Sequence, residues 1–381
     1  MIITHTIVCL TCETKHLLKV TLGYENKQHH TFPCTECEED IQFGIENLPR
    51  GEYRYIKNCR FEKFKYDEAV QVLLHPDLAV GHKIVPAGDV VTATLLNVKE
   101  MSRMFKQSVP EKLKQHRSEH QNMGSQKLRF FLKVWSLLRR NKSSLAQEFV
   151  LKNYNIHGAK MHADINTYIE DFLNHFIGDF GLKVYEGLEK EWAKSTNKKS
   201  LIDFNKIQEV DEFEVFEEFF DLYTEFSQVY LYLNGGIEIN KKNSSSSTDF
   251  NKTKKYYSSA YEVVAKLLYI PAGINNIIER GDANEFKSLK SLEVYMNNGN
   301  GNKLNCFLNN EELKYPKECY DNNIRNASFH NHMKFNAKKS KITYTKNNND
   351  VEHISYQDYL ILCVKISEVL AAYKLFKIRC L

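Results

Sequence analysis

The chain reads as an α+β protein, a small β-rich N-terminal part followed by a mainly helical remainder. Three observations lead there. Two Cys-x-x-Cys pairs fall within the first 40 residues, among short runs of β-branched and aromatic side chains. From Met161 to Asn234, apolar residues recur largely at steps of three and four, the period of a helix buried along one side. The last segment, Ile354–Phe376, reads as a long helix with a start signal and a sustained apolar stripe. On this reading the sequence divides into residues 1–45, 46–125, 126–200 and 201–381.

The first division is organised by cysteine. Cys9-Leu10-Thr11-Cys12 and Cys34-Thr35-Glu36-Cys37 are separated by 21 residues. Each pair can form a tight turn that presents two thiolates, and two such turns close a tetrahedral metal site. Between them, His16–Leu22 and Lys27–Phe32 read as the strands of a hairpin turning at Tyr24–Asn26. Residues 1–45 resemble a zinc ribbon, which implies structural Zn2+ on Cys9, Cys12, Cys34 and Cys37; a redox dithiol or unpaired thiols are the alternatives. His16, His29 and His30 are substitute ligands that a full set of four thiolates makes unnecessary. Four sulfurs leave no open position for water, so the expected task is folding a module too small to stabilise itself, not catalysis. Glu36, Glu38, Glu39 and Asp40 at the second knuckle disfavour a phosphate backbone there, and a protein partner fits at least as well. Cys59, Cys306, Cys319, Cys363 and Cys380 have no neighbour at ligand spacing and read as buried or idle thiols.

Composition sets outer limits. In 381 residues, 52 Lys and Arg face 48 Asp and Glu, a net charge of +4 that does not by itself argue for nucleic acid. No basic and apolar leader opens the sequence, and no apolar run approaches the roughly 18 residues of a membrane span. A soluble, cytoplasmic protein with no membrane contact is expected.

Residues 46–110 mix short β-rich pieces such as Val90–Asn97 with turns at Gly81-His82-Lys83 and Pro86-Ala87-Gly88-Asp89. The 46–125 division reads as a small β-rich or α+β module continuing the ribbon, and 126–200 as a helical connecting region. His75 and His82 read as loop residues. Lys106–Arg117 is basic. Gln126–Lys142 is a basic amphipathic helix: Lys127, Arg129, Lys133, Arg139, Arg140 and Lys142 oppose Phe130, Phe131, Val134, Trp135, Leu137 and Leu138. It serves as a core helix with a solvated basic face or as a contact for an RNA backbone. Asp211–Glu225 sets Phe213, Phe216, Phe219, Phe220 and Tyr223 at helical spacing, a core stripe rather than a base-stacking platform. Gly235-Gly236 ends the helical stretch that runs from Met161 to Asn234, and Asn243–Thr248 reads as a polar linker. Tyr257–Leu268 is helical, Pro271-Ala272-Gly273 interrupts it, and Asn284–Met296 is a further helix candidate. Asn297–Asn302 and Asn347–Asp350 read as loops, and Lys334–Lys346 as two strand-like pieces. In the last helix, Ser355 is the N-cap with Asp358 three positions on. Its stripe of Tyr359, Leu362, Ile366, Val369, Tyr373 and Phe376 is core or dimer seam.

The chemistry concentrates in Ile324-Arg325-Asn326-Ala327-Ser328-Phe329-His330. On a helix starting near Pro316, Tyr320, Ile324 and Ala327 share an apolar side, while Arg325, Asn326 and His330 lie on the other. A planar cationic fork, an amide and an imidazole titrating near neutral pH suit a phosphodiester. A helix end with a solvated arginine and a capping histidine is the plainer alternative.

The string resembles the Arg-Asn-Ala-x-x-His signature of the HEPN superfamily of small helical bundles. That resemblance covers the last 70 residues or so well and the last 180 loosely, with Asn331 and then His332 standing where a small residue usually follows the histidine. It implies a HEPN-like bundle over 201–381 and a homodimeric, metal-independent endoribonuclease of antiviral defence or of a toxin system. In that chemistry the 2′-hydroxyl of the RNA attacks to leave a 2′,3′-cyclic phosphate. His330 is the implied general acid or base, Arg325 neutralises charge on the phosphoryl oxygens, and Asn326 positions one of them. Since some members have lost catalysis, a non-catalytic module that binds a nucleotide or a protein partner is the alternative.

Overall fold

The computed structural model describes residues 2–21, 27–46, 52–74, 83–85, 128–153, 165–208, 212–234, 239, 250–330, 332–336, 339–346 and 350–381. In chain order the strands are β1 (Ile2–Cys9), β2 (Lys15–Thr21), β3 (Lys27–Pro33), β4 (Asp40–Glu46), β5 (Glu52–Lys57), β6 (Cys59–Phe61), β7 (Val70–Leu74) and β8 (Lys83–Val85). Helices follow: α1 (Leu128–Arg139), α2 (Ser143–Asn153), α3 (Ile165–Phe176), α4 (Asp179–Lys194), α5 (Lys199–Lys206), α6 (Phe213–Asp221) and α7 (Tyr223–Asn234). Next come α8 (Phe250–Leu267), α9 (Tyr269–Arg280), α10 (Leu292–Met296) and α11 (Asn322–Phe329). Strands β9 (Met333–Asn336), β10 (Lys341–Thr345) and β11 (Val351–Ser355) precede the terminal helix α12 (Tyr356–Cys380). The α+β class is therefore as the sequence predicts, β-rich first and mainly helical after. Val90–Asn97, Lys106–Arg117, Gly235-Gly236, Asn243–Thr248, His75 and His82 lie outside the described residues.

Two compact units form, each drawn from three stretches: Met1–Gln121, Asp221–Lys254 and Ala327–Ile361 in the first; Asn122–Phe220, Lys255–Asn326 and Leu362–Leu381 in the second. In the first unit, β6-β1-β2-β7-β8 make one sheet and β3-β4-β5 another. Ile41, Phe43 and Ile45 alternate along β4 and are fully buried, joining Ile7, Leu18, Val20, Phe32 and Val72 in one apolar core. The expected hairpin of His16–Leu22 with Lys27–Phe32 does not form. One edge of β2 is taken by β1, antiparallel, and the other by β7, parallel, so β3 pairs with β4 instead. A third sheet, β11-β10-β9, is centred on β10, whose Ile342 and Tyr344 are buried. Ile354 therefore belongs to a strand, and α12 begins only at Tyr356. Ser355 caps it: its Oγ accepts from the Asp358 amide at 3.0 Å and donates to the Asp358 carboxylate at 2.6 Å.

The second unit is built on aromatic contacts. Phe176 of α3 meets Phe216 and Phe219 of α6 edge-to-face at 5.6 and 5.1 Å, and Trp135 of α1 lies 5.1 Å from Phe216. The stripe on α6 is thus core. On α1, Val134 and Trp135 are buried while Lys133 and Arg139 are exposed, as is Arg140 just past its end, with Arg139 paired to Glu217. Helix α8 stops at Leu267, before Pro271, and Pro271 lies in the first turn of α9, where a missing N–H needs no partner. Gly281, at φ 85°, ends α9 in the left-handed conformation. Only Leu292–Met296 of the expected Asn284–Met296 helix is helical. Asp282 takes the Asn284 amide at 2.9 Å, and the Asn284 side chain takes the Leu292 amide at 3.3 Å. These polar side chains hold the backbone in turns instead of a helix.

Helix α12 is buried almost all round. Tyr359, Ile366, Val369, Tyr373 and Phe376 are fully enclosed, and so are Val364, Leu370, Ala371 and Ala372 on its other sides. Leu362 excepted, which is half-buried, its stripe is core of this chain. Among the described residues no helix is long and apolar enough to cross a membrane.

Candidate functional site

The four cysteines form a cluster because two hairpins end in matching turns. Val8 pairs with Lys15 at the end of β1–β2, and Pro33 with Asp40 at the end of β3–β4. In the first turn the Cys9 amide donates to the Thr14 carbonyl and the Glu13 amide to the Cys9 carbonyl, both at 3.0 Å. In the second, the Cys34 amide donates to the Glu39 carbonyl at 2.8 Å and the Glu38 amide to the Cys34 carbonyl at 3.1 Å. Glu13 and Glu38, each directly after the second cysteine of its pair, have φ of 59° and 64°. That left-handed step turns the chain back beneath the sulfurs.

All four Sγ atoms lie within 4.8 Å of one another, with Cys9–Cys37 at 3.7 Å and Cys12–Cys34 at 3.4 Å. Sulfurs about 2.3 Å from a tetrahedral ion would sit roughly 3.8 Å apart. The set fits a metal ion in both donor chemistry and spacing. Cys9 and Cys34 are buried and Cys12 and Cys37 half-buried. The Thr14 hydroxyl, 3.1 Å from the Cys12 sulfur, draws that thiol down to about 6 and so favours a thiolate. His16 is not a ligand. It is buried, and its Nε2 accepts from the Thr35 amide at 3.3 Å, bracing the second knuckle from the strand that follows the first. Cys59 faces Cys9 across the β1–β6 pair but stays outside the cluster, and burial raises its thiol to about 11.

The motif lies on α11. The helix does not run from Pro316, which lies in a 3-10 turn over Tyr315–Glu318. Asp321 starts it afresh, its Oδ1 accepting from the amides of Asn323 at 2.8 Å and Ile324 at 3.1 Å. Tyr320, Ile324 and Ala327 are buried, as their spacing predicts. Arg325 and Asn326 are half-buried within the second unit, and the Arg325 guanidinium donates to Asn326 Oδ1 at 2.8 Å. Arg325 also pairs with Glu262 of α8. Glu262 in turn accepts from the Asn300 amide group at 2.8 Å. Tyr261 stacks on Tyr320 at 3.9 Å and donates to Asn322 Oδ1 at 3.3 Å. Asn326 and Glu262 thus hold the arginine fork in place, and the carboxylate balances its charge.

His330 belongs to the first unit, one residue past the end of α11, and is exposed. Its ring lies 6.1 Å from that of His332, which is also exposed. The backbone closes beneath them, with the His332 amide donating to the Ala327 carbonyl at 2.9 Å. Two imidazoles therefore share one solvent-facing surface. Sequence reading singles out Arg325, Asn326 and His330 but misses Glu262, Asn300 and the cap Asp321. The cap was readable, as an aspartate just before a short helical run. Glu262 has no local signal, because the ion pair joins distant parts of the chain.

No family model matches the chain, and searches of curated proteins and of solved structures give no match either.

Proposed function

We propose that the chain is a metal-independent endoribonuclease of an anti-phage defence or toxin system, acting as a homodimer on RNA. The support is the Arg325-Asn326…His330 string, a guanidinium and an amide on a capped helix followed by an exposed imidazole. In the proposed reaction the RNA 2′-hydroxyl loses its proton to a base and attacks phosphorus. The 5′-oxygen leaves with a proton from an acid, giving a 2′,3′-cyclic phosphate. His330 serves in one of these proton transfers, Arg325 neutralises the phosphoryl oxygens, and Asn326 positions one of them. A phosphate entering there competes with Glu262 for the guanidinium. The four cysteines hold structural Zn2+ in this reading and take no part in the chemistry.

A second reading, a non-catalytic module binding a nucleotide or a protein partner, is favoured by one observation. Arg325 is already committed to Glu262 and Asn326 inside the chain. Ile324 and Ala327 of α11 and most of the stripe of α12 are likewise used internally, which leaves the exposed Phe329 and other surfaces for a dimer contact.

The deciding assay incubates wild type and variants with total cellular RNA and analyses the cut ends. Arg325→Ala and His330→Ala should each reduce cleavage by at least about 100-fold, the usual scale for losing an electrostatic stabiliser in the first case and a proton-transfer group in the second. His332→Ala should retain most activity, and the products should carry cyclic phosphate ends. Full activity in both Arg325→Ala and His330→Ala defeats the assignment. Metal-dependent 5′-phosphate ends indicate another nuclease chemistry. Inert wild type, alone or with its natural trigger, leaves the binding module as the reading.

A further inference from the structure

A cleft of about 640 Å³ opens in the second unit between the end of α9 and the Asn-rich segment that follows α10. That size lies in the range of small-molecule sites, roughly 300–1,000 Å³. Its walls offer three kinds of chemistry. Arg280 and Lys287 supply positive charge, with Glu279 as the one carboxylate opposing them. Phe286 supplies an aromatic ring, half-buried and steadied by stacking on Tyr295 at 5.2 Å and 21°. Asn302, Asn305 and Asn309 are exposed on the cleft wall. Their side-chain amides take no hydrogen bond among the described residues.

We propose that this cleft binds a nucleotide unit, either free or as part of an RNA strand. An amide presents a donor beside an acceptor, the pairing found on the hydrogen-bonding edge of a base. The Phe286 ring offers a surface for base stacking, and the arginine and lysine offer charge for a phosphate. The Arg280 guanidinium is already oriented, donating to Asn276 Oδ1 at 3.1 Å and pairing with Glu279 at 2.6 Å. A saccharide could use the amides but would leave the charge of Lys287 unanswered, Arg280 being balanced already by Glu279. A simple anion would use the cations and leave the amides and the ring idle.

The site stands apart from the proposed nuclease chemistry but is joined to it through the chain. Asn300, which holds the carboxylate partner of Arg325, lies in the same segment as Asn302 and Asn305. Occupation of the cleft would stiffen the segment that positions Glu262.

Calorimetric titration of the full-length protein tests this with the four nucleoside monophosphates, the parent nucleosides, inorganic phosphate and a short 2′-O-methyl oligoribonucleotide. The last has no 2′-hydroxyl to attack, so binding is measured whether or not the protein cleaves RNA. At least one monophosphate or the oligonucleotide should bind with Kd below about 1 mM. It should bind at least tenfold more tightly than phosphate or nucleoside alone. Monophosphate binding marks a free nucleotide as the source, and binding of the oligonucleotide alone marks a strand. Lys287→Ala with Asn302→Ala, both at exposed positions, should weaken binding about tenfold while leaving the melting temperature unchanged. No binding of either ligand, binding no tighter than phosphate, or binding indifferent to the double variant overturns the proposal.

Discussion

Glu368 is a carboxyl group enclosed by the core, 1% exposed on α12, with its Oε2 accepting from the Gly181 amide at 2.8 Å. Burial raises its carboxyl to about 7, outweighing the Gly181 hydrogen bond and the charge of Lys365. The ordinary value is 4.5, so the unfolded chain gives up this proton first as pH rises. Its contribution to stability is therefore fully present below that value and is lost as pH climbs through 7, by about 3 kcal/mol in all. Glu368→Gln keeps an acceptor for Gly181 and removes the titration. Urea unfolding of wild type and variant at several pH values should show curves that converge at low pH and separate toward pH 7.5 or so, the variant being the more stable. Parallel curves would show that Glu368 ionises as an ordinary carboxylate. Such a group is hard to read from sequence, where Ser367-Glu368-Val369 looks like any helical surface. The same limit applies to Arg325, whose local string is legible while Glu262 lies 63 positions away.

At the level of elements, close approach decides what can change. A Cβ at Gly187 on α4 would come within 2.1 Å of the Glu312 carbonyl, a backbone atom with little room to yield. Gly187→Ala should cost about 1–3 kcal/mol or more by thermal or urea unfolding, despite the better helix propensity of alanine. Gly299→Ala, with nothing within 4 Å of its Cβ, is the control and should be close to neutral. Equal effects would mean that α4 and the Glu312 loop separate without cost. Element types are legible where periodicity is strong, as in α1 and α6, and where a cap marks the start, as in α12. Strand pairing was not. Nothing local to His16–Leu22 reveals that both of its edges are claimed by β1 and β7. The Asn284–Ser291 stretch was misread for a related reason. Its pattern suits a helix, but side-chain hydrogen bonds from Asp282 and Asn284 capture the backbone first.

Across the whole molecule, the β-rich and helical parts depend on different sources of stability. The sheets of β1–β7 close around a modest apolar core beside the four sulfurs, with Cys9 and Cys34 counted among its buried residues. Without a cation, four thiols at this spacing lose the bond that ties the two turns together, and adjacent thiolates repel. The helices of the second unit instead bury Trp192 against Phe376 and Phe176 against Phe219, contacts that include no cluster residue. The two Cys-x-x-Cys pairs made the cluster legible from spacing alone, because each turn is local and only their meeting is not. Elemental analysis of reduced protein should find about one zinc per chain, and Cys34→Ser should lose it. In that variant, hydrogen exchange should quicken across β1–β4, while far-ultraviolet circular dichroism keeps most of its helical signal. Absence of zinc from carefully reduced protein would remove the structural-metal reading. Collapse of the helical signal together with the metal would show that the helices need the sheets to fold, and RNA cleavage lost on chelation would then report unfolding instead of metal chemistry.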